Sequence, residues 1–123
     1  MKTVSTNKAP AAIGPYSQAQ ISNGFVFASG QIGLNPETGI VAEGIENQAN
    51  QVFTNISELL KAAGSDISKV VKTSVFIKDM NDFGKVNEIY GNYFKEPFPA
   101  RSCVEVARLP KDVLIECEVI AEL

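Results

Sequence analysis

At 123 residues, with 45% hydrophobic and 20% charged side chains, the chain has the length of one domain, 1–123, able to bury about two-thirds of its unfolded surface in a single core. Its balance of apolar and polar residues excludes long disorder, and a net charge of −3 with no run of basic residues weighs against a nucleic-acid partner, which needs a basic face. There is no histidine, which removes the commonest general base and transition-metal ligand, and with them Ser-His-Asp and Cys-His hydrolysis.

No Cys-x-x-Cys pair or cluster of carboxylates stands in for the missing histidines, so no metal is expected. No apolar run approaches the ~20 residues a membrane span needs, and Met1-Lys2-Thr3 leads into polar residues instead of an apolar signal segment. A cytoplasmic protein without a membrane partner is the expectation. Cys103 and Cys117 lie inside strand patterns and not in a spaced framework, which favours free thiols and leaves a disulfide open. Any chemistry must rest on Arg, Glu, Tyr, Cys, Ser, Asn and backbone groups.

In chain order, Asn7 to Tyr16 contains Pro10, Gly14 and Pro15, which stop a helix or central strand; it reads as an ordered arm ending at a tyrosine. Ser17–Ile21, Asn23-Gly24 and Phe25–Ser29 read as a hairpin, because Asn-Gly supplies the positive φ angles of a type I′ turn. Gly30-Gln31-Ile32-Gly33 lacks the Lys-Ser/Thr of a phosphate loop and reads as a tight bend whose N–H groups face a ligand. Pro36-Glu37-Thr38-Gly39 is a turn before a short strand around Ile40 to Ala42.

From Glu46 to Ala63, residues Ala49, Val52, Phe53, Ile56, Leu59, Leu60 and Ala63 form one helical stripe, and Gly64 is a natural C-terminal cap. Val70 to Lys78 alternates as a strand, with Val71, Thr73, Val75 and Ile77 on one face. A second helix, capped by Asn81 or Asp82, carries Phe83, Val86, Tyr90, Tyr93 and Phe94 inward, with Asn87 on or beside that stripe.

Two strands close the chain. Alternation puts Arg101, Cys103 and Glu105 on one face of the first and Ser102, Val104 and Val106 on the other. In Leu114 to Ile120, residues Ile115, Cys117 and Val119 oppose Glu116 and Glu118. The order β-β-β-α-β-α-β-β predicts an α+β layer, with two helices packed on one face of a mixed sheet. The opposite face, expected to hold Phe76, Ile120 and the hydrocarbon of Arg101, is too apolar for solvent and calls for cover by other copies of the chain.

Arg101 suits a bidentate clamp on a substrate carboxylate, or else a structural ion pair with Glu105 or Glu116. Glu116 is a general base toward water, or Arg101's structural partner. Cys103 is first of all a small buried hydrophobe, although the neighbouring arginine favours its thiolate. Tyr16, Ser29 and Asn87 each also have a structural explanation in a hairpin or helix contact.

These residues carry a family resemblance over essentially the whole chain. Ala9 to Gln18, Ala28-Ser29-Gly30-Gln31-Ile32, Val75 to Met80, Val86-Asn87 with Tyr90, and above all Pro99 to Asp112 followed by Ile115-Glu116 resemble the RidA (YjgF) family of imine deaminases. Gly33, where that family often has proline, and Cys117, where an aliphatic residue is usual, are small departures. The resemblance implies a chorismate-mutase-like fold, a homotrimer with pockets between subunits, and cofactor-free hydrolysis of enamines and imines such as 2-aminoacrylate to 2-oxo acids and ammonia. It also implies that Arg101 binds the substrate carboxylate and Glu116 activates water, while Tyr16, Ser29, Gly30, Asn87 and Cys103 shape the pocket. Two other readings are a 2-oxo acid or amino acid binding module without turnover, and a ribonuclease or translation inhibitor.

Overall fold

The computed structural model describes residues 1–123. Six strands form one sheet: β1 (Lys2–Val4), β2 (Ala19–Ser22), β3 (Phe25–Ile32), β4 (Val70–Ile77), β5 (Ala100–Glu105) and β6 (Ile115–Glu122), in the spatial order β1-β2-β3-β6-β4-β5. Only β4 and β5 run parallel. Helices α1 (Gly44–Ala62) and α2 (Phe83–Tyr93) supply the crossovers from β3 to β4 and from β4 to β5, and both pack on the same face. This is the expected architecture of two helices on a mixed sheet.

Local chemistry accounts for most boundaries. Asn23 and Gly24 take φ of 51° and 80° in the hairpin turn, as a type I′ turn requires. Helix α1 buries Ala49, Val52, Phe53, Ile56, Leu59 and Leu60 completely. It ends in a Schellman motif at Gly64 (φ 84°), where Ser65 N donates to Leu60 O at 2.9 Å and Gly64 N to Lys61 O at 3.0 Å. Two polar residues of α1 are buried as well. Asn55 Nδ2 donates to Ile32 O and Leu34 O where β3 ends, and Gln48 Oε1 accepts from Leu114 N just before β6.

Three readings are corrected and one strand is added. The strand expected at Ile40 to Ala42 is a single bridge between Leu34 and Val41. A short first strand, Lys2–Val4, pairs with β2 and has too few residues to show a period. The alternation in β4 slips at a bulge between Val70 and Lys72, so Val70 is buried and Val71 is turned outward. Asp82 stands at the N-cap of the second helix as expected but its side chain makes no capping hydrogen bond; Asp79 accepts from Asn81 N and caps a 3₁₀ turn that runs on into the helix.

The largest correction concerns the two final strands. They are not neighbours: β6 lies between β3 and β4, and β5 lies outside β4 at the sheet edge. Arg101 is level with Thr73, which is level with Val119, so Arg101 stands on the helix side and not on the open face. The open face carries Phe25, Phe27, Phe76, Val104 and Ile120. Phe27 and Val104 are each nearly half exposed.

One side chain hydrogen-bonds along the arm before β2. Gln18 Nε2 donates to Thr6 O at 3.0 Å and Pro10 O at 2.7 Å, while its Oε1 accepts from Thr6 N at 2.7 Å. Gln18→Leu strands these groups, at about 1–3 kcal/mol. Chymotrypsin should then cleave after Tyr16 much faster than in the parent, whereas an unchanged cleavage rate would show that the arm is held by other contacts.

Candidate active site

The site residues fall into two groups on opposite faces of the sheet. The first lines a cleft of about 620 Å³ between the arm, β3, β6 and the turn before β6, and includes Tyr16, Ser29, Gly30, Gln31, Lys111, Glu116 and Glu118. A register shift in β3 between Ala28 and Gln31 lifts Ser29 and Gly30 out of the regular ladder. Ser29 N then donates to Gln18 O and Ser29 Oγ to Ser17 O at 2.6 Å, tying the arm to the bulge. Tyr16 is more than half exposed at the arm's end.

Glu116 lies against this bulge. A Cβ on Gly30 would overlap Glu116 Oε1 and stand 2.9 Å from its Cδ, so only glycine lets the carboxylate rest there. Burial pushes the Glu116 pKa above its usual value, and the negative charge of Glu118 adds to the shift. The side-chain Oε1 of Gln31, a residue that also lines the cleft, is buried without a hydrogen-bond partner.

The second group lies at the sheet edge under α2. Arg101 Nη1 donates to Asn87 Oδ1 at 2.7 Å, and the guanidinium carbon stands 4.8 Å from the Tyr90 ring centre and 5.5 Å from that of Phe83. Cation–π contacts of this kind stabilise by roughly 0.5–2 kcal/mol. Tyr90 is itself fixed by a 2.8 Å hydrogen bond with Thr73. Arg101 makes no ion pair, so the alternative pairing with Glu105 or Glu116 is absent within the chain; Glu105 instead accepts from Met80 N at 2.8 Å. The guanidinium is therefore oriented by neutral groups and keeps its charge for an incoming anion.

Cys103 is half-buried beside Arg101. Burial pushes its pKa up and the arginine only partly opposes this, which favours the thiol. Cys117 is fully buried, and its pKa is pushed up further. Both are level with Val75 from either side of β4, two strand spacings of about 4.8 Å apart and beyond the Cα separation a disulfide spans; both are free.

One chain thus brings Tyr16, Ser29, Gly30 and Glu116 together, and separately Asn87, Arg101 and Cys103. The helical stripe places Phe83 and Tyr90, which lie under the guanidinium, as inward-facing residues. Their spacing from Asn87, four before and three after, already put all three on one helix face. Alternation along the strand put Glu118 on the face of Glu116; Lys111 and Gln31 carried no comparable signal, since only the folded cleft gathers them.

Residues 6–123 match the family model described as endoribonuclease L-PSP. The chain belongs to that family, the one containing the RidA (YjgF) proteins. It is 58% identical to a RutC family protein of Synechocystis, over 100% of this chain and 97% of the relative. It is 54% identical to the 2-iminobutanoate/2-iminopropanoate deaminase of Salmonella typhimurium, over 98% of this chain and 96% of that one. The crystal structure of RidA from an Antarctic Psychrobacter superposes with a TM-score of 0.97 at 45% identity, covering 100% of both chains.

Gly30→Ala tests the contact that holds Glu116. The atoms in the way belong to the tip of a flexible side chain, so the variant should fold normally with its carboxylate displaced toward water. The Glu116 pKa should then fall toward that of a free glutamate, read by carboxyl NMR. An unmoved pKa would contradict the packing described.

Proposed function

We propose that the chain is a cofactor-independent deaminase that hydrolyses small imines and enamines of the 2-iminopropanoate and 2-iminobutanoate type to 2-oxo acids and ammonia. The observation that carries this reading is the pairing of chemistries: an unpaired arginine held over two rings, and a carboxylate of raised pKa in a cleft, on a chain without histidine. Relatives named 2-iminobutanoate/2-iminopropanoate deaminase, at 51 to 54% identity, support the same substrate class.

An imine carbon is already electrophilic, so hydrolysis needs an anchored carboxylate, an aimed water and a proton route. Arg101 takes the substrate carboxylate through its two-pronged face. Glu116 accepts a proton from water as the oxygen bonds to C2 of the protonated imine, and the C=N electron pair passes to nitrogen, giving the neutral carbinolamine. The carbinolamine then expels ammonia as Glu116 returns its proton to the nitrogen and the oxygen releases its own, leaving C=O. Tyr16, Ser29, Gly30, Asn87 and Cys103 shape the pocket, with Cys103 contributing position and no covalent bond.

Because Arg101 and Glu116 face opposite sides of their own sheet, the reaction needs Arg101 of one copy beside Glu116 of another. The apolar open face with Phe27 and Val104 is the surface that supports such an assembly, and a homotrimer with three pockets between subunits is the form we propose. The free thiols fit a reducing compartment, the cytoplasm; no helix is long and apolar enough to cross a membrane. Ribonuclease action is the weaker reading, since the cleft presents two carboxylates toward what would be a phosphate backbone.

Glu116→Gln keeps shape but cannot take the proton, so turnover of freshly generated 2-aminoacrylate should fall roughly 10²- to 10⁴-fold with affinity for a stable 2-oxo acid nearly unchanged. Intact turnover in a trimer that melts early would leave Glu116 structural. Arg101→Lys, which loses both the fork and the stacking geometry, should lose most turnover in a folded protein. A parent that hydrolyses the imine no faster than solvent, yet binds the 2-oxo acid, would identify a binding module instead.

The general base acts as a carboxylate, so activity is lost along an acid limb of kcat as pH falls through the Glu116 pKa, which burial and Glu118 raise and the Arg101 of a neighbouring copy lowers. Glu118→Gln removes the second cause of that shift and should move the limb to lower pH. A limb that stays in place would separate Glu118 from the base.

A further inference from the structure

The turn between β5 and β6 holds two consecutive residues with side chains in the left-handed region: Lys111 and Asp112 both have φ of 55°. Asp tolerates this conformation, whereas lysine gains nothing locally from it. The turn is nevertheless tightly determined. Arg108 donates to both Asp112 carboxylate oxygens, at 2.6 and 3.2 Å, Asp112 N donates to Leu109 O at 3.0 Å, and Leu109 and Val113 are buried on either side. None of these contacts uses the Lys111 side chain. Strain sustained in this way is a reason to ask what the strained residue does.

Lys111 lines the Glu116 cleft and is the sole cation among its lining residues, which include the carboxylates Glu116 and Glu118. It is not neutralised by either: the chain's ion pairs are Lys61–Glu58, Lys85–Glu46 and Arg108–Asp112. An anionic substrate approaching two carboxylates on a chain of net charge −3 meets repulsion unless a local cation offsets it. We propose that Lys111 recruits the substrate: its free ammonium, set at the exposed rim of the cleft by the left-handed turn, offsets Glu116 and Glu118 and draws carboxylate-bearing ligands inward. Arg101 grips the carboxylate during reaction, while Lys111 acts on its approach. The kinetic side of this inference rests on the proposed hydrolysis, and the binding side does not.

The test compares the parent with Lys111→Met, Lys111→Arg and Lys111→Gly. At low salt the Met variant should lose roughly five- to tenfold in kcat/KM with kcat within about twofold, and the difference should fade as salt screens the charge. Arginine should restore capture. Affinity for 2-oxobutanoate should fall in the Met variant, while affinity for its uncharged methyl ester should not. Glycine adopts the left-handed conformation freely, so Lys111→Gly should melt a few degrees higher and still lose capture; a merely structural lysine predicts no loss of capture.

Parental kcat/KM and parental 2-oxobutanoate affinity in the Met variant would overturn the proposal. So would equal losses for acid and ester, or a fall in kcat with KM unchanged. If the parent hydrolyses no imine, the proposed reaction fails by itself and the binding comparison still decides: weaker binding of the acid alone upholds recruitment by Lys111, and equal binding overturns it.

Discussion

Strand β6 pairs with β3 on one side and β4 on the other, and this central position governs what the rest of the chain can do. Side chains alternate along a strand, so Ile115, Cys117, Val119 and Ala121, all essentially buried, complete the core under the helices. Glu116, Glu118 and Ile120 are thereby committed to the other face. A carboxylate is carried into the middle of the sheet, where no helix covers it and where the bulge in β3 leaves space over Gly30. Its raised pKa follows from that enclosure.

At the sheet edge, different physics prepares the arginine. Strand β5 has β4 on one side only, and α2 passes over it so that Phe83, Asn87 and Tyr90 meet the guanidinium from one direction. Neutral partners orient the charge without cancelling it. An ion pair would have cancelled that charge, and Glu105, on the same strand face, is instead engaged with the Met80 amide. The Thr73–Tyr90 hydrogen bond links this platform to the core.

The two groups complement one another chemically and are separated by their own sheet. The proposed assembly reconciles these facts, because the open face that lacks a helical cover also carries Glu116. Burying Phe27, Val104 and Ile120 against a second copy then serves stability and site completion together. The arm held by Gln18 and the turn held by Arg108 and Asp112 border the cleft, so both irregular segments beside it are fixed by their own hydrogen bonds.

Much was legible in the chain itself. Period 3.6 in α1, the Asn-Gly hairpin and the alternation of β6 are local properties, each set by residues a few positions apart, and they survive folding because tertiary contacts reinforce them. The special residues were legible for a related reason: an arginine beside a thiol on a strand, and a glutamate within an apolar run, stand out against what a core requires. Local pattern carries no information about which strands pair. That β6 enters between β3 and β4, that Arg101 faces the helices, and that the Val70 bulge exchanges Val71 for Val70 were decided by long-range hydrogen bonding. Alternation puts Glu118 on the face of Glu116, but that Gln31 and Lys111 join them was beyond local reading, since residues from the bulge, the turn and β6 become neighbours only when the sheet closes around its last strand. Residue chemistry and local geometry belong to the sequence; which groups share a face, and which are held apart, belongs to the register of the sheet, because a one-residue shift in pairing moves a side chain to the opposite side.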